Sequence, residues 1–419
     1  MPRRALVLLA VIAALRVAAT ARAQSAPAVT TNEAEYTFAE SLSFHLQAQA
    51  EAPIEDVVLR YVVGDSGVRN RRIPEFTPGP EITAVHAETL ARGQIPPASP
   101  ITYWWTITDA AGHTTETEPQ TIRYLDRRFD WQSTAGDDVR VWWYDADEAF
   151  AQDVAERARR ALDHIEDTIG FGPDRRIEIV AYQSQADMRP ALYARGDVYE
   201  SRLATLGARV APDILLLDAE SGGDMLDEVL THELSHVVLH LHVAEEYLEA
   251  PLWLDEGLAM YLEGPLTGNE QQALARAIQR DELMSVRSLT TFPGQADLVS
   301  QAYGQSRDLV AFLIEQHGQP AFRELVTLLG GGTVTVDEAL TRVYGTDQTA
   351  LYQAYRAARG LKPAATPNPD EPPLRGARRP AAGSTAGPCG GLAVLVPLLA
   401  AAWVHRRRGA ETDASAPAG

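Results

Sequence analysis

The chain has 419 residues, 45% of them apolar, with 57 acidic against 37 basic side chains and a formal net charge of −20. That length suits two or three domains rather than one. So acidic a chain repels a phosphate backbone, which argues against a nucleic-acid partner, and the acidity otherwise serves solubility.

Arg3 and Arg4 precede the apolar run Ala5–Leu15, and Ala21–Gln24 reads ARAQ. A basic start, a short greasy stretch and a small-residue cleavage site make a secretory leader, expected over residues 1–23. Eleven apolar residues are too few to span a bilayer.

Residues 28–126 look all-β. In SLSFHLQAQA, Leu42, Phe44, Leu46 and Ala48 fall on one face of a period-two pattern. Tyr103, Trp105 and Ile107 alternate in the same way, the chain turns at Asp109–Gly112, and it then returns. Short alternating runs broken by Pro and Gly predict an antiparallel sandwich of immunoglobulin or fibronectin type. His45, His86 and His113 are scattered through it and read as strand or surface residues.

A second domain is expected over residues 129–361. Asp137–Tyr144 and Arg175–Tyr182 read as strands, and Leu203–Ala219 gives two more around Pro212. Between the first two, Asp147–Gly170 carries Phe150, Val154, Leu162, Ile165 and Ile169 at helical spacing, with Gly170 as a stop. Helices are expected at Asp224–Val243, Leu252–Glu263, Asn269–Glu282, Ala302–His317, Gln319–Leu329, Val336–Val343 and Gln348–Arg359. The arrangement is α+β.

Residues 362–387 are too rich in Pro to bury a core and read as a linker. Residues 388–408 hold a mostly apolar run, Pro388–Val404, followed by Arg406–Arg408. The run is at the short end of spanning length, and the arginines sit where a cytoplasmic stop is expected. The segment resembles the C-terminal sorting signals of bacterial surface proteins. Cys389, the one cysteine, leaves no intrachain disulfide and is a sorting or lipidation site, part of the anchor motif, or incidental.

The stretch LTHELSHVVLHLH, Leu230–His242, holds four of the ten histidines. On a helix, His232 and His236 lie one turn apart on one face, so two imidazoles can reach one ion. Glu233 is rotated by about 100°, beside the metal rather than on it. A third ligand is needed. His242 has the spacing of H-E-x-x-H-x-x-G-x-x-H proteins, but Leu239 stands where their glycine ends the helix. His240 lies a full turn further along and reads as a neighbour or a surface residue. Glu256, twenty positions beyond His236 and on the next helix, is the better candidate. Two histidines and a carboxylate leave a fourth position open, the catalytic pattern of zinc.

HELSH followed by WLDEGLAMY resembles the gluzincin metallopeptidases, the thermolysin and aminopeptidase superfamily, and most of all its bacterial peptidase MA-like domain. The likeness runs over about Asp137–Leu361, including AYGQSRDLVAFLIEQHG. It implies a thermolysin-like fold, one catalytic zinc on His232, His236 and Glu256, Glu233 as general base, and a peptide or protein substrate. It also implies a tyrosine donor to the oxyanion, for which Tyr303 is the candidate, with packing as the alternative. Asp255 either orients a histidine or caps its helix. Leu203–Val210 is either a substrate-pairing edge strand or an ordinary one. The resulting expectation is an exported zinc peptidase held at the outer face of a bacterial envelope by its C-terminal segment. The competing expectation is an envelope binding or assembly protein on a peptidase-like scaffold.

Overall fold

The computed structural model describes residues 25–64, 68–193, 207–219, 225–242, 250–266, 268–291, 293 and 296–364. The expected leader, Leu203–Leu206 of the expected edge strand, Asp224, most of the linker, Cys389 and the C-terminal apolar segment lie outside them. No helix among the described residues is long and apolar enough to cross a membrane. The chain divides into two compact units. Among the described residues, one is built from 25–35, Ser43–Glu88 and Thr102–Thr121, the other from Tyr36–Leu42, Thr89–Ile101 and those from Ile122 on.

The N-terminal part is sheet. Strands β1 (Ala28–Thr37), β2 (Ser41–Val63), β5 (Ser99–Asp109) and β6 (Thr114–Glu116) follow one another across it. β3 (Asn70–Arg72) and β4 (Gly79–Thr89) also pair with β2, and β7 (Gln120–Tyr124) pairs with β5. The alternation seen in the sequence is the alternation of burial: Leu42, Phe44, Leu46 and Ala48 of β2 and Tyr103, Trp105 and Ile107 of β5 are all buried. Leu42, Phe44, Leu46 and Ile107 each contribute roughly 1.5–3 kcal/mol on leaving water. The Trp105 indole N–H donates to Asn32 Oδ1 at 3.0 Å, so its burial strands no donor. The expected turn closes on Asp109, whose Oδ1 accepts from the backbone N–H groups of Ala111 and His113 at 3.0 and 2.8 Å.

The C-terminal part is a mixed sheet with helices. β8 (Gln132–Ser133), β9 (Val139–Trp143), β10 (Ile177–Tyr182), β11 (Gly207–Ala211) and β12 (Ile214–Asp218) lie in the order β11-β12-β10-β9-β8. β9, β10 and β12 are parallel, and β11 and β8 run antiparallel at the two edges. Helix α1 (Glu148–Ile169) makes the crossover from β9 to β10. Asp147 starts it by accepting from Phe150 N–H at 2.9 Å, and Gly170, in the left-handed region at φ 89°, ends it.

After α2 (Gln185–Met188) come α3 (Leu226–His242), α4 (Leu252–Glu263), α5 (Gly268–Arg280), α6 (Ala296–His317), α7 (Gln319–Gly330), α8 (Val336–Tyr344) and α9 (Gln348–Ala358). α4 has the bounds expected from its sequence. α6 begins six residues before the expected Ala302, because no Pro or Gly breaks Ala296–Gln301. Val141, Ile179 and Leu217 of the sheet, Leu162 and Ile165 of α1, and Leu230, Leu234 and Val238 of α3 share one buried cluster. Val180, Tyr182, Ala208, Val210 and Leu216 form another on the opposite sheet face. Burial on both faces explains why β10 and β12 carry no alternation of buried and exposed residues.

Gly257 sets how closely α4 meets α6. A β-carbon there would lie 2.5 Å from the carbonyl oxygen of Ser306 and 2.9 Å from Val310. Backbone cannot yield as a flexible side chain can, so Gly257→Ala must push the two helices apart. We expect it to destabilise the domain by about 1–3 kcal/mol, read as a lowered denaturant midpoint. A wild-type midpoint would show that the contact is slack.

Candidate metal centre

The site is assembled by α3 and α4. His232 and His236 are one turn apart on α3, Glu256 is on α4, and all three are fully buried. One ligand atom from each lies within 4.8 Å of the others. His232 Nε2 and His236 Nε2 stand 3.6 and 3.8 Å from Glu256 Oε2. These separations are close to the roughly 3.3 Å between ligand atoms held tetrahedrally at zinc distances.

The far nitrogen of each ring is already committed. His236 Nδ1 bonds Asp255 Oδ1 at 2.6 Å, and His232 Nδ1 bonds Glu263 Oε1. Nε2 of both rings and both oxygens of Glu256 are buried without a hydrogen-bond partner among the described residues. Four buried polar atoms left unsatisfied at one point are a heavy cost unless a further group meets them. Two imidazole nitrogens and a carboxylate are the donor set of a catalytic zinc site, so these residues fit that ion.

The electrostatics agree with this. Burial drives the Glu256 carboxyl well up from the usual range, partly opposed by the charge of His232. Burial also pulls His232 down, but the carboxylates of Glu263, Glu256 and Glu233 outweigh it and raise the ring to about 9. Burial lowers His236, with Asp255 opposing. Asp255 itself, though buried, is held well below the carboxylate range by His236 and His240. A divalent cation at the centre keeps Glu256 ionised and both Nε2 lone pairs free to ligate.

Glu233, the residue after His232, is buried with Oε2 unpartnered. Burial pushes its carboxyl up to about 7, against the opposing charges of His232 and Arg209. The edge strand β11 passes directly over it. A β-carbon on Gly207 would come within 2.8 Å of Glu233 Cγ, and the Arg209 backbone N–H donates to the carboxylate. Glycine at 207 therefore lets the strand approach the carboxylate.

The other histidines of the motif separate cleanly. Leu239 lets α3 continue to His242, whose ring stacks on Phe171 at 3.6 Å and lies outside the ligand cluster. His240 bonds the second oxygen of Asp255 at 3.0 Å, so it is neither a ligand nor a plain surface residue. Asp255 orients His236 and does not cap its helix: it lies in the first turn of α4, where Pro251 is the N-cap, and its carboxylate is taken by the two rings. Glu263 was not anticipated. Its signal was its place two turns after Glu256, on the same face of α4. Tyr303 is buried on α6, the helix that packs most extensively on α4.

Asp255→Asn keeps the shape but loses the charge that fixes the His236 ring. We expect zinc affinity to fall about 10–100-fold, measured by competition with a chromogenic chelator. Wild-type affinity would reduce the carboxylate to a packing element.

Residues 157–359 match the family model of the Peptidase MA superfamily, and these residues contain every member of the site. Residues 157–359 thus form a zinc peptidase domain of gluzincin type, of the Peptidase MA superfamily. The M1 zinc metallopeptidase of Deinococcus radiodurans aligns at 14% identity and a TM-score of 0.37, over 82% of this chain and 96% of that one. A mutant of that enzyme bound to a Tyr-Ser-Ala substrate gives 14%, 0.40, 82% and 96%. A β-1,3-glucan-binding domain of carbohydrate-binding module family 56 aligns at 21% identity and a TM-score of 0.16, over 22% of this chain and 96% of that domain. At these TM-scores the likenesses add nothing to the family assignment. No curated protein matches this sequence.

Proposed function

We propose that the chain is an exported zinc peptidase in which Glu233 is the general base. The observation that carries this reading is the convergence of unsatisfied His232, His236 and Glu256 atoms beside a buried, unpaired Glu233 oxygen. A zinc ion held by the three ligands supplies Lewis acidity, polarising the scissile carbonyl and acidifying water. The Glu233 carboxylate takes the proton from the attacking water and returns it to the leaving amine. Burial suits it to both halves, because a raised pKa makes it a better base and then a competent acid. The Glu263 and Asp255 carboxylates hold the two rings with Nε2 turned to the centre. The Tyr303 hydroxyl donates to the oxyanion as negative charge develops.

β11, the end strand of the sheet among the described residues, runs beside Glu233 and offers an edge along which an extended peptide can lie, seating its scissile bond near that carboxylate. Peptide hydrolysis is expected to stop when zinc is removed by a chelator and to return with one equivalent of zinc. Hydrolysis that survives chelation contradicts the proposal.

The peptidase domain is assigned to 129–361 and an immunoglobulin-like sandwich to 28–126, a reading supported by the alternating burial along β2 and β5. Export and anchoring at the envelope's outer face rest on residues 1–23 and 388–408, with 362–387 as a stalk. Fractionating the producing cells tests this: activity in the cytoplasm would sink it.

A further inference from the structure

The sheet face opposite the metal-site helix carries an unbalanced group of charges. On β9, Val139, Val141 and Trp143 pack in the cluster shared with α1 and α3, so Arg140 and Trp142 point to the other side. Glu178 of β10 is in register with Arg140, and Arg176 lies two residues earlier. Glu178 Oε1 stands 3.5 Å from Arg176 Nε, 3.7 Å from Arg140 Nη1 and 4.0 Å from Arg123 Nη1. Three guanidiniums thus surround one carboxylate. The local excess is two positive charges, in a chain whose formal net charge is −20.

None of the three arginines hydrogen-bonds that carboxylate. The Trp142 indole N–H does, donating to Oε2 at 2.6 Å. Arg123 donates to the Ala98 carbonyl at 2.6 Å. Arg140 and Arg176 donate to no acceptor among the described residues, and the Nε–H of each is buried. Arg123 and Arg140 also sit over the Trp142 ring, at 5.8 and 5.7 Å from its centroid.

We propose that Arg123, Arg140 and Arg176 form a binding site for a doubly charged oxyanion, a phosphate or sulfate group. Guanidinium forks match the paired oxygens of such groups, and a dianion balances the excess of two. Glu178, pinned by Trp142, keeps the three cations gathered while leaving the donors of Arg140 and Arg176 uncommitted. Stacking on Trp142 fixes the planes of two of them.

The test is calorimetric titration of the whole protein with inorganic phosphate, against chloride at equal ionic strength. One phosphate per chain is expected. Arg140→Gln and Arg176→Gln should each weaken it about tenfold, the equivalent of one charge-assisted hydrogen bond. Arg176 is the most exposed of the three, at 36%, so its variant is the one least exposed to misfolding. A phosphate monoester such as glucose 6-phosphate separates the sources. Tighter binding of the ester assigns the site to an esterified ligand, and equal binding assigns it to the free anion. No phosphate heat beyond that of chloride overturns the proposal. So does unchanged affinity in both variants, each melting at the wild-type temperature.

Discussion

Glu233→Gln is expected to bind zinc as tightly as the wild type and to hydrolyse peptides about a thousandfold more slowly. The substitution leaves His232, His236 and Glu256 in place, with the carboxylates that hold their rings. It removes the buried carboxylate proposed to accept and return the proton, a role worth about 10²–10⁴ in rate. The measurement pairs zinc stoichiometry with kcat on one reporter peptide. Equal rates would show that another group is the base.

The pH profile follows from the same carboxyl. It acts only when ionised, so hydrolysis falls as the pH drops through its pKa. Burial raises that pKa to about 7, and a bound divalent cation lowers it again. The acid limb of the profile is therefore expected below pH 7, and in the glutamine variant that limb should vanish with the activity.

Glu256→Ala is expected to abolish stoichiometric zinc binding. The carboxylate is fully buried, and its Oε2 stands 3.6 and 3.8 Å from the Nε2 atoms of His232 and His236. Without it the set falls to two imidazoles, below the three ligands of a catalytic zinc site. The loss should also appear as stability. Zinc at about a thousand times its Kd stabilises the folded wild type by about 4 kcal/mol. For a domain of this size that raises Tm by roughly 8–16 °C. The alanine variant should show no zinc-dependent rise. A rise matching that of the wild type would remove Glu256 from the ligand set.

Much of this was legible in the sequence because its signals are local. Gly170 at the end of α1, Pro251 before α4 and the alternation in β2 and β5 each act within a turn or a strand. The meeting of His232, His236 and Glu256 was legible because helical spacing places the two histidines on one face, and Leu239 argued against a break before His242. Strand order was not, since β10 and β12 are buried on both faces and carry no alternation to orient them. The partner of His240 was unreadable for a different reason. Asp255 lies on another helix, and only the packing of the two helices shows one carboxylate serving two rings. The arginines around Glu178 likewise meet only through the β9–β10 register.

The most direct measurement incubates the zinc-loaded chain, beside its Glu233→Gln variant, with an unbiased peptide mixture and reads new termini by mass spectrometry. The expected result is cleavage by the wild type alone, its sites defining the specificity. Absence of cleavage by a wild-type protein holding one zinc at His232, His236 and Glu256 would contradict a peptidase and favour a binding protein on this scaffold.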